Sequence, residues 1–408
     1  MNITFLTSYY HPEITPATHL FLDLTNDLAN RGCKVTVITP IPTRGVDKKI
    51  TEYYRTNTYE EQNDRNIIIH RIPISGSEKK GFISRVIRYL KITWVLYRKA
   101  RSVNTDVFLI PSTPPTLGLV AAMLKNKAPV VYNLQDVFPD SLINAGVNKK
   151  NPIIFIGRIF EKLVYKKVDR ILTITKDFKQ LLVNRGVNEN KIDLVYNWID
   201  TSSVFPIDKD NNKLLKKYNL DKNNFYITYC GNIGLSQNLE MICDAAKTLE
   251  KTYLDIKFII IGDGAHKEEL NKYIEINNIE NVLIIPFQPY SDIAHVFSLG
   301  DIGVVSSKSG IGTSSFPSKT WSIMAAERPI VVSFDEDSEL CSIVKDAECG
   351  ICVPPNEKEK FIDAVIYLHK NRHICQSMGA SGRNFVINNL SREVCTNQYY
   401  ESIKKVIK

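Results

Sequence analysis

The sequence lacks any long apolar run. No stretch of its 408 residues approaches the ~18 consecutive apolar residues that a membrane-spanning helix needs. Its first residues, MNITFLTSYYHPE, show neither the basic start nor the extended apolar core of a secretory signal peptide. We therefore expect a cytoplasmic protein, with any membrane association peripheral and on the inner face of the plasma membrane.

Cysteine is sparse, and its spacing argues against a metal or redox centre. The eight cysteines include one close pair, Cys349 and Cys352, in the run ECGICVPP. A zinc or redox site would also need a second pair, histidines at ligand spacing or a following helix. Because Ile351 and Val353 alternate with the pair, we interpret these cysteines as small buried strand residues in a reduced protein.

Two further patterns are missing. No G-x-G-x-x-G fingerprint of dinucleotide-binding enzymes is present, which argues against a dehydrogenase. No DxD-like acidic pair lies in a loop suited to hold a donor-bound metal. The sequence therefore predicts no cofactor and no metal site.

Acidic residues are under-represented in the first half. Residues 1–200 contain 29 Lys+Arg against 18 Asp+Glu, and the remainder contains 23 against 26. The net charge of +8 thus comes from the first half. Such asymmetry favours an anionic partner for that half, namely a membrane surface, a nucleic acid or a phosphorylated acceptor.

The basic excess is densest in residues 79–101, where eight basic residues occur without an acidic one. A helical wheel places on one face Ile83, Val86, Ile87, Leu90, Trp94 and Tyr97, with Arg85, Arg88 and Lys99 opposite. This pattern suits adsorption to an anionic membrane surface. It equally suits packing of the apolar face on a sheet, and the two interpretations are compatible. Nucleic acid is not predicted, because no motif that reads DNA or RNA accompanies the charge.

Short β-rich runs alternate with longer amphipathic stretches throughout, as in βα units around parallel sheets. We predict first-half strands at NITFLTS, KVTVITP, NIIIHRI, DVFLIPS, PVVYNLQ and RILTITK. The second half repeats the scheme at NFYITYCGNIG, DIKFIIIGDG, NVLIIPFQ, IGVVSS, PIVVSF and ICVPP. The fold class is therefore α/β, with two Rossmann-like domains.

The domain boundary is predicted in the polar segment TSSVFPIDKDNNK that follows NWID. Pro206 and the charged residues 208–210 are typical of a linker. We expect one domain over residues 1–203, a second over 204–390, and a C-terminal helix over 391–408 that packs back on the first domain.

Ligands of open parallel sheets bind beyond the carboxyl ends of the strands, and one such loop contains the turn CGNIGLSQNLE. Its Gly231, Asn232 and Gly234 would let backbone N–H groups approach a phosphate at a helix start. The alternative is a tight turn that needs glycine for its φ alone.

Two further loops of the second half are candidates. Gly262, Asp263 and Gly264 end an apolar strand before a helix, where the aspartate either caps that helix or helps form a ligand-facing wall. In SSKSGIGTSSFPSKTW, small hydroxyls precede a helix whose first turn contains Lys319. Hydroxyls, free amides and one ammonium at a helix start suit a sugar diphosphate.

In the first half, NLQDVFPDS ends a buried strand with Gln135 and Asp136. A carboxylate there, facing an interdomain cleft, could orient an acceptor or take its proton. A helix cap or an ion pair is the ordinary alternative. The first loop, SYYHPEITPATH, offers His11, Glu13 and Thr18 near the same cleft, although such a histidine is more often a turn residue.

Taken in order, SYYHPE, LQDVFPDS, NWID, GNIG-x-x-Q, IIGDG and FPSK-x-x-x-x-MA resemble family 4 glycosyltransferases of GT-B fold over nearly the whole chain. The branch that these motifs resemble builds bacterial O-antigen, capsule and colanic acid, and includes L-fucosamine-transferase-like proteins. Each motif is weak alone, whereas six in the right order at suitable spacing are specific.

The resemblance implies a retaining, metal-independent transfer from a UDP- or GDP-sugar to an undecaprenyl-diphosphate-linked acceptor across an interdomain cleft. It implies that Asn232 and Gly234 lie beneath the donor phosphates, and that Ser318 and Lys319 neutralise the departing diphosphate. That diphosphate is implied to help take the acceptor proton. Gln237 matches the branch's glutamine beyond the phosphate turn, and Asp136 matches its acidic acceptor-side position.

The sequence departs from the wider family at two places. Ser314 and Ser322 stand where many members have two glutamates that contact the donor sugar and ribose, so we expect the Ser322 hydroxyl to contribute to ribose recognition. The first loop has residues 14–17, ITPA, in place of the usual glycine pair. Two other functions share this fold, a nucleotide-sugar 2-epimerase that acts on the donor alone and a non-catalytic sugar-nucleotide sensor.

Overall fold

The computed structural model describes residues 1–15, 17–74, 82–144, 147–310 and 316–407, without the side chains of residues 82–86 and 144. It divides into two compact units. The first comprises Met1–Asn197 and Glu393–Lys408, and the second comprises Trp198–Arg392. The fold class predicted from the sequence, two parallel-sheet α/β domains, is confirmed.

The first unit contains an eight-stranded sheet. Its strands are β1 (Asn2–Leu6), β2 (Lys34–Pro40), β3 (Tyr59–Gln62), β4 (Ile67–Ile72), β5 (Val107–Pro111), β6 (Val130–Leu134), β7 (Arg170–Thr173) and β8 (Ile192–Leu194). They lie in the order β3-β4-β2-β1-β5-β6-β7-β8, and all pairs are parallel except β3 with β4. All six predicted strands are present, while β3 and β8 were not predicted.

The helices of this unit cover the sheet. They are α1 (Thr18–Asn30), α2 (Lys48–Thr56), α3 (Phe82–Ser102), α4 (Leu117–Leu124), α5 (Asp140–Asn144), α6 (Pro152–Lys167) and α7 (Lys176–Asn184). One apolar core joins α3, α4 and α6 to the central strands, through Leu96, Val120 and Val164 among others. Within the described residues, no helix combines the length and the hydrophobicity that crossing a bilayer requires.

The second unit contains a six-stranded parallel sheet. Its strands are β9 (Phe225–Cys230), β10 (Ile256–Ile261), β11 (Val282–Ile285), β12 (Ile302–Ser306), β13 (Ile330–Ser333) and β14 (Gly350–Val353). They lie in the order β11-β10-β9-β12-β13-β14. Because a parallel sheet is covered on both faces, its strands are apolar throughout, and β9 is buried over its whole length. All six strands match the predicted runs.

The helices of the second unit include several short ones. They are α8 (Lys213–Lys217), α9 (Leu239–Leu249), α10 (Lys267–Ile276), α11 (Ile293–Phe297), α12 (Lys319–Ala325), α13 (Glu339–Asp346), α14 (Lys358–Lys370) and α15 (Arg372–Asn389). The eight cysteines of the chain are free, and Cys349 is buried while Cys352 in β14 is partly buried.

The structure divides the chain at Asn197, whereas the sequence predicted residue 203. The reason lies in the segment NWID. Trp198 is buried, and the Ile199 N–H donates to the Leu390 carbonyl over 3.1 Å, which ties this segment to the end of α15. The final helix, α16 (Arg392–Lys404), groups from Glu393 onward with the first unit, where Arg31 donates to the Asn397 side chain over 2.9 Å.

Candidate functional site

In the second unit, two loops meet at the carboxyl edge of the sheet. From β9 the chain continues to β10 on one side, and β12 lies on the other side of β9. Open parallel sheets bind ligands at such a reversal of strand order. The Lys308 N–H of the loop after β12 donates to the Ser236 carbonyl of the loop after β9 over 2.9 Å. The fold therefore joins the two loops that the sequence singled out.

Lys319 reaches from the start of α12 to the turn after β9. Its Nζ lies 3.6 Å from the centroid of the Tyr229 ring, and a Cβ placed on Gly231 would lie 3.6 Å from the same atom. The Tyr229 hydroxyl in turn donates to the Asn232 carbonyl over 2.7 Å. The glycine turn and the lysine predicted as a phosphate site are thus brought together.

The Lys319 ammonium is poorly solvated, although the residue keeps part of its surface exposed. Desolvation lowers its pKa from the ordinary 10.5 to about 7, an effect that the nearby Cys230 thiol only slightly opposes. No carboxylate of the described residues forms an ion pair with it. A bound anion would supply the missing negative charge and raise this pKa again. This position and the lowered pKa suit the neighbourhood of an anion, and the phosphate assignment of Lys319 stays a prediction.

The glycines of this region have different functions. Gly231 has φ +145°, a conformation that residues with a Cβ rarely adopt. A Cβ on Gly262 would lie 1.9 Å from the Gly231 carbonyl oxygen, and one on Gly264 would lie 2.2 Å from the Ile233 carbonyl oxygen. These two glycines therefore let the loop after β10 pack directly on the turn after β9, and their predicted contact with a donor stays a prediction.

The remaining residues of the turn line its open side. Asn232 is exposed, and its amide Nδ2 lies 3.4 Å from Gln237 Oε1. Gln237 also donates to the Ser236 hydroxyl over 2.9 Å. A Cβ on Gly234 would lie 2.7 Å from Gln237 Oε1, so the absence of a side chain there makes room for the glutamine. Asn232, Gly234 and Gln237 form one polar surface.

The other donor-side positions singled out in the sequence are Asp263, Ser318, Ser322 and Ser314. Asp263 does not cap α10, which has His266 at its N-cap. Its carboxylate accepts from the Gly264 N–H over 2.9 Å. Ser318 is exposed at the start of α12 and makes no side-chain capping bond to that helix. Ser322 is buried within α12. Ser314 and the rest of residues 311–315 lie outside the described residues.

Two features of this site carried no signal in the sequence. Tyr229 belongs to β9, whose sequence predicts only a buried apolar strand. Its ring nevertheless contacts the Lys319 ammonium, and its hydroxyl donates to a carbonyl of the turn after β9. The second is the hydrogen bond of 2.5 Å between His266 Nε2 and Glu240 Oε1, which ties the start of α9 to the loop after β10. Both depend on contacts between segments far apart in the chain.

In the first unit, Asp136 lies at the carboxyl end of β6. The Ser112 hydroxyl oxygen accepts from the Gln135 and Asp136 N–H groups, each over 3.1 Å. Burial raises the pKa of the Asp136 carboxyl, and a hydrogen bond from the Ser141 side chain partly opposes this. A carboxyl with a raised pKa at this edge of the sheet has the properties of a proton acceptor.

Gln135 is fixed by its neighbours. Its amide exchanges hydrogen bonds with the Asn197 amide, over 3.1 Å in one direction and 2.9 Å in the other. It also donates to Asn133 Oδ1 over 3.1 Å. Both partners lie at the ends of neighbouring segments of the first unit, so Gln135 holds this edge of the sheet in place beside Asp136.

The residues predicted in the first loop have structural partners. Glu13 is buried, and its Oε1 accepts from the Thr43 and Arg44 N–H groups over 2.9 and 3.0 Å. Thr18 begins α1 and shares a hydrogen bond of 2.5 Å with Thr15. The His11 carbonyl accepts from Arg71 over 2.7 Å, and desolvation lowers the pKa of its imidazole. An acceptor-binding function of these residues stays a prediction.

Two family models match the chain and together cover most of it. "Glycosyltransferase Family 4" matches residues 17–203, and "Glycosyl transferases group 1" matches residues 210–385. The putative colanic acid biosynthesis glycosyl transferase WcaI of Escherichia coli strain K12 is 24% identical over 368 residues, which are 87% of this chain and 89% of that protein.

The chain is also similar to a further glycosyltransferase and to a solved structure. The N-acetylgalactosamine-N,N'-diacetylbacillosaminyl-diphospho-undecaprenol 4-alpha-N-acetylgalactosaminyltransferase of Campylobacter jejuni is 28% identical over 218 residues, or 51% of this chain and 55% of that protein. The structure of Anabaena HepE with UDP-glucose matches 99% of this chain and 100% of that chain, with a TM-score of 0.70 and 14% identity. The chain belongs to the GT-B glycosyltransferases, with a family 4 domain followed by a group 1 domain.

Proposed function

We propose that this glycosyltransferase moves a sugar from a UDP- or GDP-sugar, bound by the second unit, to a lipid-linked saccharide in the assembly of a bacterial surface polysaccharide. The observation that supports the donor site is the poorly solvated Lys319 ammonium beside the glycine turn after β9. The names of the relatives support the pathway, since they include a colanic acid enzyme and an enzyme that acts on a diphospho-undecaprenol-linked sugar.

In the proposed reaction the bond between the anomeric carbon and the diphosphate breaks, and a bond from the acceptor oxygen to that carbon forms. Lys319, with Ser318 and the N–H groups of the turn, stabilises the negative charge that develops on the diphosphate. The acceptor proton passes to the departing phosphate, while Asp136 orients the acceptor hydroxyl. We propose that the acceptor attacks on the face that the diphosphate leaves, which retains the anomeric configuration, and that no metal takes part.

The donor is tested by a thermal-shift screen with UDP, GDP, dTDP and ADP sugars. A ligand that binds only the folded protein stabilises it by about 2.7 kcal/mol at a concentration 100 times its Kd. We expect a UDP- or GDP-sugar to raise the Tm, and Lys319→Ala to reduce this increase while the ligand-free protein still folds. An equal increase in the variant would show that the diphosphate is bound elsewhere.

Transfer is distinguished from the two alternative functions by its products. An epimerase would consume the donor without an acceptor, and a sensor would not consume it at all. We expect sugar consumption that requires a polyprenyl-diphosphate-linked saccharide and that continues in the presence of a metal chelator. Consumption without acceptor would identify the epimerase reaction instead.

We also propose that the first unit adsorbs to an anionic membrane through α3. The sequence left open whether its apolar face packs inward, and the structure shows which residues do so. Ile92 and Leu96 are buried, whereas Ile87, Leu90 and Trp94 are exposed by 49%, 50% and 57%. Residues 79–81 lie outside the described residues.

Adsorption of α3 to a membrane can be followed through the fluorescence of Trp94. Of the three tryptophans, Trp198 and Trp321 are buried and Trp94 is exposed. We expect anionic vesicles, and not neutral ones, to shift the Trp94 fluorescence to shorter wavelength, and we expect added salt to weaken the shift. Equal and negligible binding to both kinds of vesicle would refute the adsorption.

A further inference from the structure

The exposed face of α6 is strongly apolar. Phe155, Ile156, Ile159 and Leu163 are exposed by 71%, 63%, 57% and 45%. Phe155 and Ile156 are adjacent, and Ile159 and Leu163 follow at intervals of three and four residues, so all four lie along one side of the helix. At 1.5 Å per residue the stripe is about 12 Å long, half of this 16-residue helix.

The opposite face of α6 already completes the packing of the first unit. Ile154, Gly157 and Val164 are buried there. A Cβ on Gly157 would lie 2.8 Å from the Pro139 side chain, and a Cβ on Gly118 of α4 would lie 3.0 Å from the Val164 side chain. Because α6 packs this closely on its inner side, the outer stripe is not needed to hold the helix in the fold.

The charges around the stripe have one sign. Lys162, Lys166 and Lys167 are exposed on α6. Its one acidic residue, Glu161, is buried and forms ion pairs with Arg158 and Arg185. The neighbouring helices α3 and α4 contain no acidic residue over their ranges. The outer faces of these three helices therefore combine apolar and basic groups without an exposed carboxylate.

We infer that α6 is an apolar anchor that inserts Phe155, Ile156, Ile159 and Leu163 into the interface of an anionic membrane. An amphipathic helix with an apolar stripe and flanking lysines binds such a surface by burying the stripe between the head groups and acyl chains. A second copy of this chain is a poorer occupant, since its same three helices would bring lysines and no carboxylate to meet these lysines. The inference deepens the proposed membrane association and rests on it.

Because their compositions differ, α3 and α6 contribute different interactions to the inferred membrane binding. α3 is basic, with Arg88, Lys91 and Arg98 among its exposed residues. It therefore supplies the long-range electrostatic attraction to the anionic membrane. α6 supplies most of the exposed apolar area. Attraction by α3 depends on ionic strength, whereas insertion of α6 persists once the helix is in contact with lipid.

The test measures co-sedimentation of the full chain with vesicles of phosphatidylcholine containing phosphatidylglycerol. The variant Phe155→Ser/Ile159→Ser removes two side chains of the stripe, and Ile276→Ser is the matched control, because Ile276 is a 77% exposed isoleucine at the end of α10. We expect the double variant to bind at least about tenfold more weakly and the control to bind like the wild type. Insertion depth is read with Phe155→Trp in a Trp94→Phe background, quenched by brominated acyl chains.

Each outcome decides the inference. Loss of binding in the double variant together with quenching of Trp at position 155 supports it. Wild-type binding in the double variant, or no quenching, overturns the anchor while the α3 proposal stands. A change from dimer to monomer in the double variant, measured by light scattering, would instead assign the stripe to self-association. The nucleotide-sugar thermal shift is independent of all these results, because it reports on the second unit.

Discussion

Replacing Lys319 by methionine tests two effects of this residue separately. One is the stability that its desolvated ammonium costs the folded protein, and the other is its contribution to donor binding. Desolvation lowers the pKa of the folded-state ammonium from 10.5 to about 7, while the unfolded chain keeps the ordinary value. Between pH 7 and 10.5 the unfolded state therefore binds more protons than the folded state, and stability increases with pH. Below pH 7 both states are protonated, so the full penalty is present and constant.

The size of this penalty follows from the two pKa values. At about 1.4 kcal/mol for each tenfold change in proton affinity, it is at most about 5 kcal/mol at low pH. Roughly 2 kcal/mol of it disappears between pH 7 and pH 9. Methionine keeps the apolar stem over the Tyr229 ring but loses a cation–π contact of about 1 to 2 kcal/mol. We expect a net gain of about 2 kcal/mol at pH 7, or about 4 to 8 °C in Tm for a unit of this size.

The same substitution is expected to weaken donor binding. A hydrogen bond to a charged group contributes about 1.5 to 3 kcal/mol, so UDP should bind about 10- to 100-fold more weakly to Lys319→Met. In the wild type, UDP affinity should decrease as the pH rises above 7, because the ammonium must be protonated to meet the diphosphate. This pH dependence should be absent from the variant.

The assay combines thermal unfolding of the ligand-free protein at pH 7 and pH 9 with calorimetric titration of UDP. Lys272→Met is the control, since Lys272 is exposed on α10 and should alter neither quantity. A lower Tm at pH 7 together with unchanged UDP affinity in Lys319→Met would refute both the desolvation argument and the assignment of the diphosphate.

Three further substitutions have defined outcomes. Tyr229→Phe removes the hydroxyl that holds the turn after β9, a hydrogen bond that contributes about 1 kcal/mol to the folded state. It should lower the Tm by about 2 to 4 °C and weaken UDP binding, and an unchanged titration would contradict this. Asp136→Asn should lower kcat by about 100-fold, because the acceptor hydroxyl is no longer held in its reactive orientation, at constant UDP affinity. Steady-state kinetics measures this, and a wild-type kcat would remove Asp136 from the reaction. Gly262→Ala places a Cβ 1.9 Å from a backbone oxygen and should lower the Tm far more than Gly32→Ala, whose Cβ meets no described atom within 4 Å and which strains only its positive φ.

Much of the fold could be predicted from the sequence, because strands that are buried on both faces are apolar along their whole length. β9 to β14 are rich in apolar residues, although β10 contains Lys257 and Leu283 of the edge strand β11 is exposed, and all six were predicted from their composition. β3 escaped prediction because its sequence, YEEQ, is polar. It is an antiparallel edge strand whose pairing with β4 needs no apolar side chains. The units of the structure divide at Asn197 and the first family model ends at residue 203, because Trp198 and the next two residues of NWID pack with the second unit.

The residues of the proposed donor site, namely the glycine turn and the lysine that begins α12, could also be singled out from the sequence. Their meeting was not, because it depends on the order of strands in the sheet. The sequence does not show that β12 lies beside β9, and only this order brings Lys319 over Tyr229 and next to Gly231. The close packing of Gly262 and Gly264 against the turn after β9 was hidden for the same reason, since it depends on how the two loops meet.

The sequence by itself determined the fold class, the loops in which the proposed donor site lies and the basic character of α3. Composition and periodicity suffice for these, because they reflect which local segments can bury apolar surface. The tertiary structure decided the depressed pKa of Lys319, the support that Tyr229 gives it, and the exposure of Phe155 and Ile159 on α6. These properties are set by neighbours distant in sequence, since solvation and burial depend on everything that surrounds a side chain.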